Sequence, residues 1–341
     1  MKKSQHKRIL LPAFLFFAII PIAMFMAASF GAVQVSPADC FLLILNKLGI
    51  GPAPEVSPNV NYIFFQLRLP RVIMAVLGGA ALAVCGCVFQ SIFRNPICDP
   101  YILGISSGAS LGAAVAFVLG WNVFVFGVTL SALVTALLTL ALIFAITRGQ
   151  HRSTYSLLLV GVALNFFLSA VITLIMVLHQ ESMHKIMFWT MGSLANAGWS
   201  EVMIVALGFI TIIFALFYIS KDLNLIQLGE ETAKTLGVNT RRVTMLALAL
   251  SSLLIAIVVS FCGVIGFVGL VIPHIVRLLV GSDCRRMMLY SLFAGAVFLL
   301  LADTIARTIA LPSELPVGSI TAIVGGPYFI FLLLRGKREY L

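Results

Sequence analysis

Long apolar runs recur along almost the whole chain, and they limit the folds that it can adopt. A helix needs roughly 20 apolar residues to cross the hydrocarbon core of a membrane. Lipid offers no hydrogen-bond partners to the backbone of a spanning segment. Its N–H and C=O groups must therefore bond to each other within the helix. We identify about ten such runs, near residues 9–32, 70–92, 101–119, 121–147, 154–178, 200–219, 243–262, 265–281, 287–306 and 318–334. They predict an all-α integral membrane protein with about ten transmembrane helices per subunit.

The composition excludes several classes of protein. Hydrophobic residues make up 61% of the 341 residues and charged residues only 10%, whereas a soluble domain is about half apolar and about a quarter charged. A water-soluble enzyme, a disordered protein and a nucleic-acid-binding domain are therefore excluded. The six cysteines are scattered without a C-x-x-C pair, which indicates neither a disulfide framework nor a zinc site. No Walker A pattern occurs, so the chain does not bind and hydrolyse a nucleotide by that route.

The distribution of Lys and Arg predicts the orientation of the chain, because cytoplasmic loops carry an excess of these residues. If the N-terminus is inside and the spans alternate, all but five of the 22 cations fall inside. The five outside are Lys47, Arg68, Arg71, Lys185 and Arg307. We therefore predict an even number of spans with both termini cytoplasmic. The formal net charge of +10 then reflects this orientation more than one basic patch.

The chain is predicted to form a single transmembrane domain, 1–341. An external loop is expected at 33–62 and a cytoplasmic segment at 220–242. A short basic segment precedes the first apolar run, so a cleavable signal peptide is one alternative for that run. The apolar core of the run is longer than that of a typical signal peptide, and we interpret it as an uncleaved first span.

Small residues recur at helix-packing spacing in two of the spans. They are Gly79, Ala83 and Gly86 in the second span and Gly104, Gly108 and Gly112 in the third. Helices in lipid associate through close backbone approach and dispersion, which small residues permit. These rows therefore predict tight helix–helix contacts.

The segment 220–242 contains a short helical pattern from Glu230 to Leu236. Gly237 can end this helix in the left-handed conformation, and Glu230 and Lys234 have the charges that suit its first and last turns. A polar linker is the alternative interpretation. Apolar side chains favour a helix that docks on a partner instead, namely Leu225, Ile226, Leu228, Ala233 and Leu236.

Ionisable residues are scarce within the spans. Asp303 and Arg307 lie four residues apart near the outer end of one helix, where they can form a local ion pair. An ion-coupled secondary transporter is the main alternative function, but it would need carboxylates or histidines near the midplane. An integral-membrane enzyme would need a polar constellation that the sequence lacks. We therefore predict no catalytic residues, no metal ligands and no enzymatic activity in this chain.

Several sequence segments resemble those of a known family. They are 67–71 (LRLPR), 95–109, 228–237 (LGEETAKTLG), 263–278, 302–307 and 314–318. In order, spacing and number of spans, nearly the whole chain resembles the FecCD-type membrane permeases. These are the membrane subunits of bacterial ATP-binding cassette (type II) importers for iron-siderophore chelates, haem or vitamin B12 (cobalamin).

The resemblance implies a homodimer in the bacterial inner membrane with one central translocation pathway. It also implies two ATP-binding cassette ATPase subunits on the cytoplasmic side and a periplasmic or lipid-anchored substrate-binding protein outside. ATP and Mg would bind to the ATPase, and this chain would need no cofactor. Glutamates of the binding protein would meet Arg68, Arg71 and Arg307. Contact with the ATPase would be made by Gly229, Glu230, Glu231, Ala233, Leu236 and Gly237.

The resemblance also implies two gates on the cytoplasmic side. Asn95 and Ile97 match an inner gate between the second and third spans. Ser153, Thr154 and Tyr155 match a second gate, where Tyr155 departs from the small polar residues usual in the family.

Polar residues also follow one face of the fifth span, at Asn165, Ser169 and Thr173. Pore lining and helix–helix bonding both explain them. An external segment contains His179, Glu181, Met183 and His184, for which a solvated loop and haem handling are the two interpretations.

Overall fold

The computed structural model describes residues 19–31, 33, 35–50, 56–147 and 154–336, and this part of the chain is built from helices. They are α1 (Ile19–Ser29), α2 (Pro37–Lys47), α3 (Pro58–Tyr62), α4 (Leu69–Ile92), α5 (Ile105–Val118), α6 (Gly127–Ile146), α7 (Thr154–Leu178), α8 (Gln180–Thr190), α9 (Trp199–Tyr218), α10 (Ser220–Gln227), α11 (Glu230–Thr235), α12 (Thr240–Cys262), α13 (Val268–Val280), α14 (Cys284–Ala306) and α15 (Val317–Gly336). A π-helical segment, Ile63–Arg68, joins α3 to α4. The first part of the predicted span 9–32 lies outside the described residues.

Each of the ten predicted spans corresponds to a helix, which confirms the all-α fold class. Six helices are long and apolar enough to cross a membrane, namely Pro58–Ile92, Gly127–Ile146, Ser156–Leu178, Trp199–Tyr218, Thr240–Cys262 and Cys284–Ala306. The other four correspond to shorter apolar helices, Ile19–Ser29, Ile105–Val118, Val268–Val280 and Val317–Phe331. The chain is thus a multi-pass membrane protein.

Three features of the segments predicted to be external differ from the sequence prediction. The second span begins at Pro58, because its helix continues through the π-helical segment for 35 residues in all. The expected loop 33–62 contains α2, whose Cys40 and Leu43 are buried against the core. The expected loop at 179–184 lies mostly within α8, whose Ile186 is buried. Tertiary packing stabilises α2 and α8, and the hydropathy of their sequences does not predict this packing.

The helix α4 lies at the centre of the fold. In the most apolar part of the span that contains it, 83% of the residues are buried. A side chain on Gly79 would overlap the backbone of Gly295 in α14, and one on Gly86 would overlap the backbone of Gly269 in α13. The small residues therefore permit two close helix crossings, as their spacing predicts.

The predicted glycine row of α5 packs in the same way against α6. A side chain on Gly108 would collide with Thr139, and one on Gly112 would collide with Thr135. The hydroxyl of Ser131 also donates to the carbonyl of Gly112 at 2.7 Å. Close approach and a polar contact thus act together at this interface.

Candidate functional site

The first candidate site is a group of charges at the outer ends of α4 and α14, which we call the outer charge cluster. It consists of Arg68, Arg71, Asp303, Arg307 and Glu314. Sequence reasoning placed the three arginines on the external face. The structure brings them together, and it buries all three, with exposed fractions of 4% to 8%.

Arg71 is the hub of this cluster. Its Nε donates to both carboxylate oxygens of Asp303, at 3.0 and 3.1 Å. Its Nη1 donates to both oxygens of Glu314, at 3.0 and 2.8 Å. Asp303 is fully buried, whereas the side chain of Glu314 is 44% exposed. Arg71 therefore ties α4 to α14 and to the segment that precedes α15.

Arg68 and Arg307 satisfy the C-terminal end of α1. The last carbonyls of a helix have no partner within the helix and attract positive charge. Arg68 donates through Nη1 to the carbonyls of Ala28 and Ser29, at 3.1 and 3.2 Å, and through Nη2 to Val33. Arg307 donates through Nη2 to the carbonyl of Ala27. These contacts give an internal role to two of the arginines that the orientation rule predicts to lie outside.

The predicted ion pair between Asp303 and Arg307 is confirmed, with 3.7 Å between Oδ2 and Nε. It is the weaker of the two ion pairs that Asp303 makes, since Arg71 approaches to 2.9 Å. Sequence reasoning missed Glu314 as a partner of Arg71, although residue 314 begins one of the family-like segments. Docking of a binding protein on these arginines stays a prediction.

The second candidate site is the segment 220–237, which contains the helices α10 and α11 and which we call the coupling unit. The predicted short helix is present as Glu230–Thr235, and Gly237 follows it with a φ of +84°. Hydrogen bonds with Glu231 and Glu230 raise the pKa of Lys234 above its ordinary value. Lys234 lies 3.0 Å from Glu231 and 3.2 Å from Glu230, so it neutralises part of their charge.

The coupling unit is fixed to the transmembrane helices on one side. Ala233 and Leu223 are fully buried there. The amide of Gln227 donates to the hydroxyl of Ser91 in α4 at 3.0 Å. Asn224 accepts the backbone N–H of Cys284, the first residue of α14, at 2.6 Å. A force on this unit would therefore act directly on α4 and α14.

The other side of the coupling unit presents apolar and charged side chains to its surroundings. Leu228 is 69% exposed and Leu236 is 58% exposed, and the side chain of Glu231 is 88% exposed. The two leucines give this side of the unit exposed apolar surface.

The predicted gate residues have simple local geometry. The side-chain oxygen of Asn95 accepts the backbone N–H of Ile97 at 3.0 Å, which forms a tight turn after α4. Ile97 is 41% exposed. Thr154 and Tyr155 begin α7, and Ser153 lies outside the described residues.

The polar face of α7 divides into two parts. Asn165 accepts the hydroxyl of Ser107 in α5 at 2.7 Å and donates to the carbonyl of Tyr101 at 3.3 Å, so it joins two spans. Ser169 and Thr173 lie on an exposed face, where the hydroxyl of Thr173 donates to the carbonyl of Ser169 at 2.9 Å. Helix–helix bonding thus explains Asn165, and pore lining stays a prediction for the other two.

Potential metal ligands form no cluster in the part of the chain that the structure describes. No group of three or more His, Cys, Asp or Glu side chains comes together there as a metal site would require. In the external segment, Glu181, Met183 and His184 lie exposed on α8.

Comparison with known proteins covers almost the whole chain. The model of the FecCD transport family matches residues 19–335. An uncharacterized ABC transporter permease protein of Bacillus subtilis is 38% identical over 327 residues, which is 94% of this chain and 93% of that protein. The hemin transport system permease protein HmuU of Yersinia pestis is 40% identical over 284 residues, with 82% and 85% coverage.

Two further proteins extend the similarity. The cobalamin import system permease protein BtuC of Halobacterium salinarum is 42% identical over 280 residues, with 82% of this chain and 75% of that protein covered. A solved structure assigned to a metal-chelate type ABC transporter, in an inward-facing conformation, superposes with a TM-score of 0.83. It is 32% identical, and 95% of this chain and 98% of that chain are covered.

The geometry of the outer charge cluster predicts unequal effects of two substitutions. Asp303→Asn leaves two buried guanidinium groups without their shared carboxylate, and we expect a loss of about 3–5 kcal/mol. Glu314→Gln removes a half-exposed partner, and we expect a loss of about 1 kcal/mol or less. Thermal unfolding of the detergent-purified variants checks this order. Equal melting temperatures for the two variants would contradict the assignment of Asp303 as the central anion.

Proposed function

The chain belongs to the FecCD transport family, and from that premise we propose how it works as the membrane-spanning permease of an ATP-binding cassette importer. Relatives in this family are named for hemin, cobalamin and iron chelate. We propose a cargo of the same class, an iron-siderophore, haem or cobalamin, handed over by a substrate-binding protein. The permease is proposed to catalyse no reaction, since ATP hydrolysis resides on a separate chain.

The proposed assembly follows from this role. Two copies of the chain form a homodimer in the inner membrane, with both termini in the cytoplasm and lipid around it. Two ATPase subunits bind below and hold ATP and Mg, while this chain holds no cofactor. The proposed interface between the copies includes α7, whose most apolar part is only 17% buried within one chain. Its exposed Ser169 and Thr173 are proposed to line the pathway between the copies.

The coupling unit carries the proposal most directly. It combines an exposed face, with Leu228 and Leu236, and anchors on α4 and α14 through Gln227 and Asn224. A cleft in each ATPase is proposed to receive the exposed face. Closure of the ATPase pair would then move the spans as rigid bodies. The gates formed by Asn95, Ile97 and 153–155 would open or close in response.

The outer charge cluster is the proposed docking site for the binding protein. Its three arginines are buried, so free guanidinium groups are not displayed there. We propose a carboxylate exchange, in which a glutamate of the binding protein takes the place of Glu314 on Arg71. Glu314 supports this step, because its side chain is 44% exposed and belongs to a connecting segment outside the spans.

A double substitution tests the coupling proposal. Leu228→Asp with Leu236→Asp places two charges where the ATPase would bury apolar surface. Burial of a leucine contributes about 1.5–3 kcal/mol, so we expect pull-down of the ATPase to weaken at least tenfold. The double Met variant at the same positions serves as the control and should bind normally. Normal binding by the Asp variant would remove the coupling unit from the interface.

A matched pair of charge removals tests the carboxylate exchange. Glu314→Gln removes the internal competitor and should strengthen binding-protein affinity up to about fivefold, because a half-exposed ion pair contributes about 1 kcal/mol or less. Glu181→Gln removes an equal charge from α8, away from the cluster, and should leave affinity unchanged. Titration calorimetry at low salt measures both. Equal gains in the two variants would indicate general charge repulsion, and a loss in Glu314→Gln would contradict the exchange.

A further inference from the structure

A cavity of about 590 Å³ lies among the ends of several helices on the side assigned to the cytoplasm. It is bounded by the C-terminal ends of α4 and α6, the first turns of α7 and α12, and the coupling unit. Its walls are mainly apolar and include Ile92, Phe144, Ala145 and Leu157. A volume of this size suits a small organic ligand or part of a lipid.

Two arginines at the rim of this cavity have no polar partner in the described part of the chain. Arg94 follows α4, and Arg241 lies in the first turn of α12. Both side chains are exposed. A cation in the first turn of a helix is opposed by the partial positive charge of that end. An anion beside Arg241 would relieve this repulsion, and Arg94 lines the same cavity.

The carboxylate that shares the cavity is partly neutralised. Glu230 lies 3.2 Å from Lys234 and accepts the hydroxyl of Thr240 at 3.5 Å. Among the described residues that line the cavity, the positive charge offered to a ligand therefore comes from the two arginines. An anionic head with an apolar body matches both the rim and the walls.

The cavity also adjoins a face of α6 that is exposed to its surroundings. Leu130, Leu138, Leu142 and Ile146 recur along this face at four- and eight-residue intervals, with exposed fractions between 48% and 62%. Large apolar side chains that one chain leaves uncovered on a spanning helix are compatible with lipid tails, which are as apolar as leucine. Ala141 and Ala145, which line the cavity, alternate with the last two of these side chains.

We propose that this cavity binds one anionic phospholipid of the cytoplasmic leaflet. The head-group phosphate would lie between Arg94 and Arg241, and an acyl chain would lie along Phe144, Ala145 and Leu157. Anionic lipids are enriched in that leaflet, and basic pockets between spans bind their head groups.

Native mass spectrometry of the full chain, purified in detergent and delipidated, tests this site. Phosphatidylglycerol is titrated against wild type, the double variant Arg94→Gln with Arg241→Gln, and the control Arg242→Gln, which removes a neighbouring exposed cation that does not line the cavity. We expect one tightly bound lipid per chain in wild type and in the control. In the double variant, affinity should fall at least tenfold.

A second variant keeps the site testable if the arginine variant fails to fold. Ala145→Trp leaves both arginines in place but fills the apolar part of the cavity, so it should also abolish tight binding of phosphatidylglycerol. Retained binding in this variant would overturn the placement of the acyl chain. Equal binding of phosphatidylcholine, displacement of the lipid by inorganic phosphate, or an equal loss in the Arg242→Gln control would overturn the proposal.

Discussion

The burial of α4 among its neighbours is the constraint on which the rest of the structure depends. Lipid provides no hydrophobic force between helices, so α4 is held by close packing at Gly79 and Gly86. Its outer end carries Arg71, which binds Asp303 and Glu314. Its inner end carries Ser91, which receives the coupling unit. One rigid, buried helix thus connects the proposed docking face to the proposed ATPase face.

The outer charge cluster changes how the external arginines are understood. Sequence reasoning explained Arg68, Arg71 and Arg307 by a docking partner and gave only Arg307 an internal contact, the ion pair with Asp303. In the fold all three also make contacts within the chain. Two of them donate to the carbonyls that end α1, and the third joins α4 to α14. Buried ion pairs need excellent geometry to offset their desolvation. A docking partner must therefore compete with the existing ion pairs. Of the two carboxylates in these pairs, Glu314 is the more accessible.

Local and non-local features differ in how far the sequence predicts them. The ten apolar runs and the helix ended by Gly237 are local patterns, and each appears in the structure. The partners of Arg71 lie 232 and 243 residues away along the chain, so composition and spacing cannot identify them. We expected a loop where the structure has α8, because the polar residues of this segment do not indicate that Ile186 is buried. The sequence allows both pore lining and helix–helix bonding at Asn165, and the hydrogen bond from Ser107 identifies the second.

Uptake into proteoliposomes is the most direct test of whether this chain is the permease of an ATP-driven importer. The chain is reconstituted with its ATPase and binding protein, and entry of labelled haem, ferric siderophore or cobalamin is followed. We predict uptake that requires ATP on the ATPase side and persists after proton and sodium gradients are collapsed. Uptake that is driven by an ion gradient in vesicles without the ATPase would contradict it and would favour a secondary transporter.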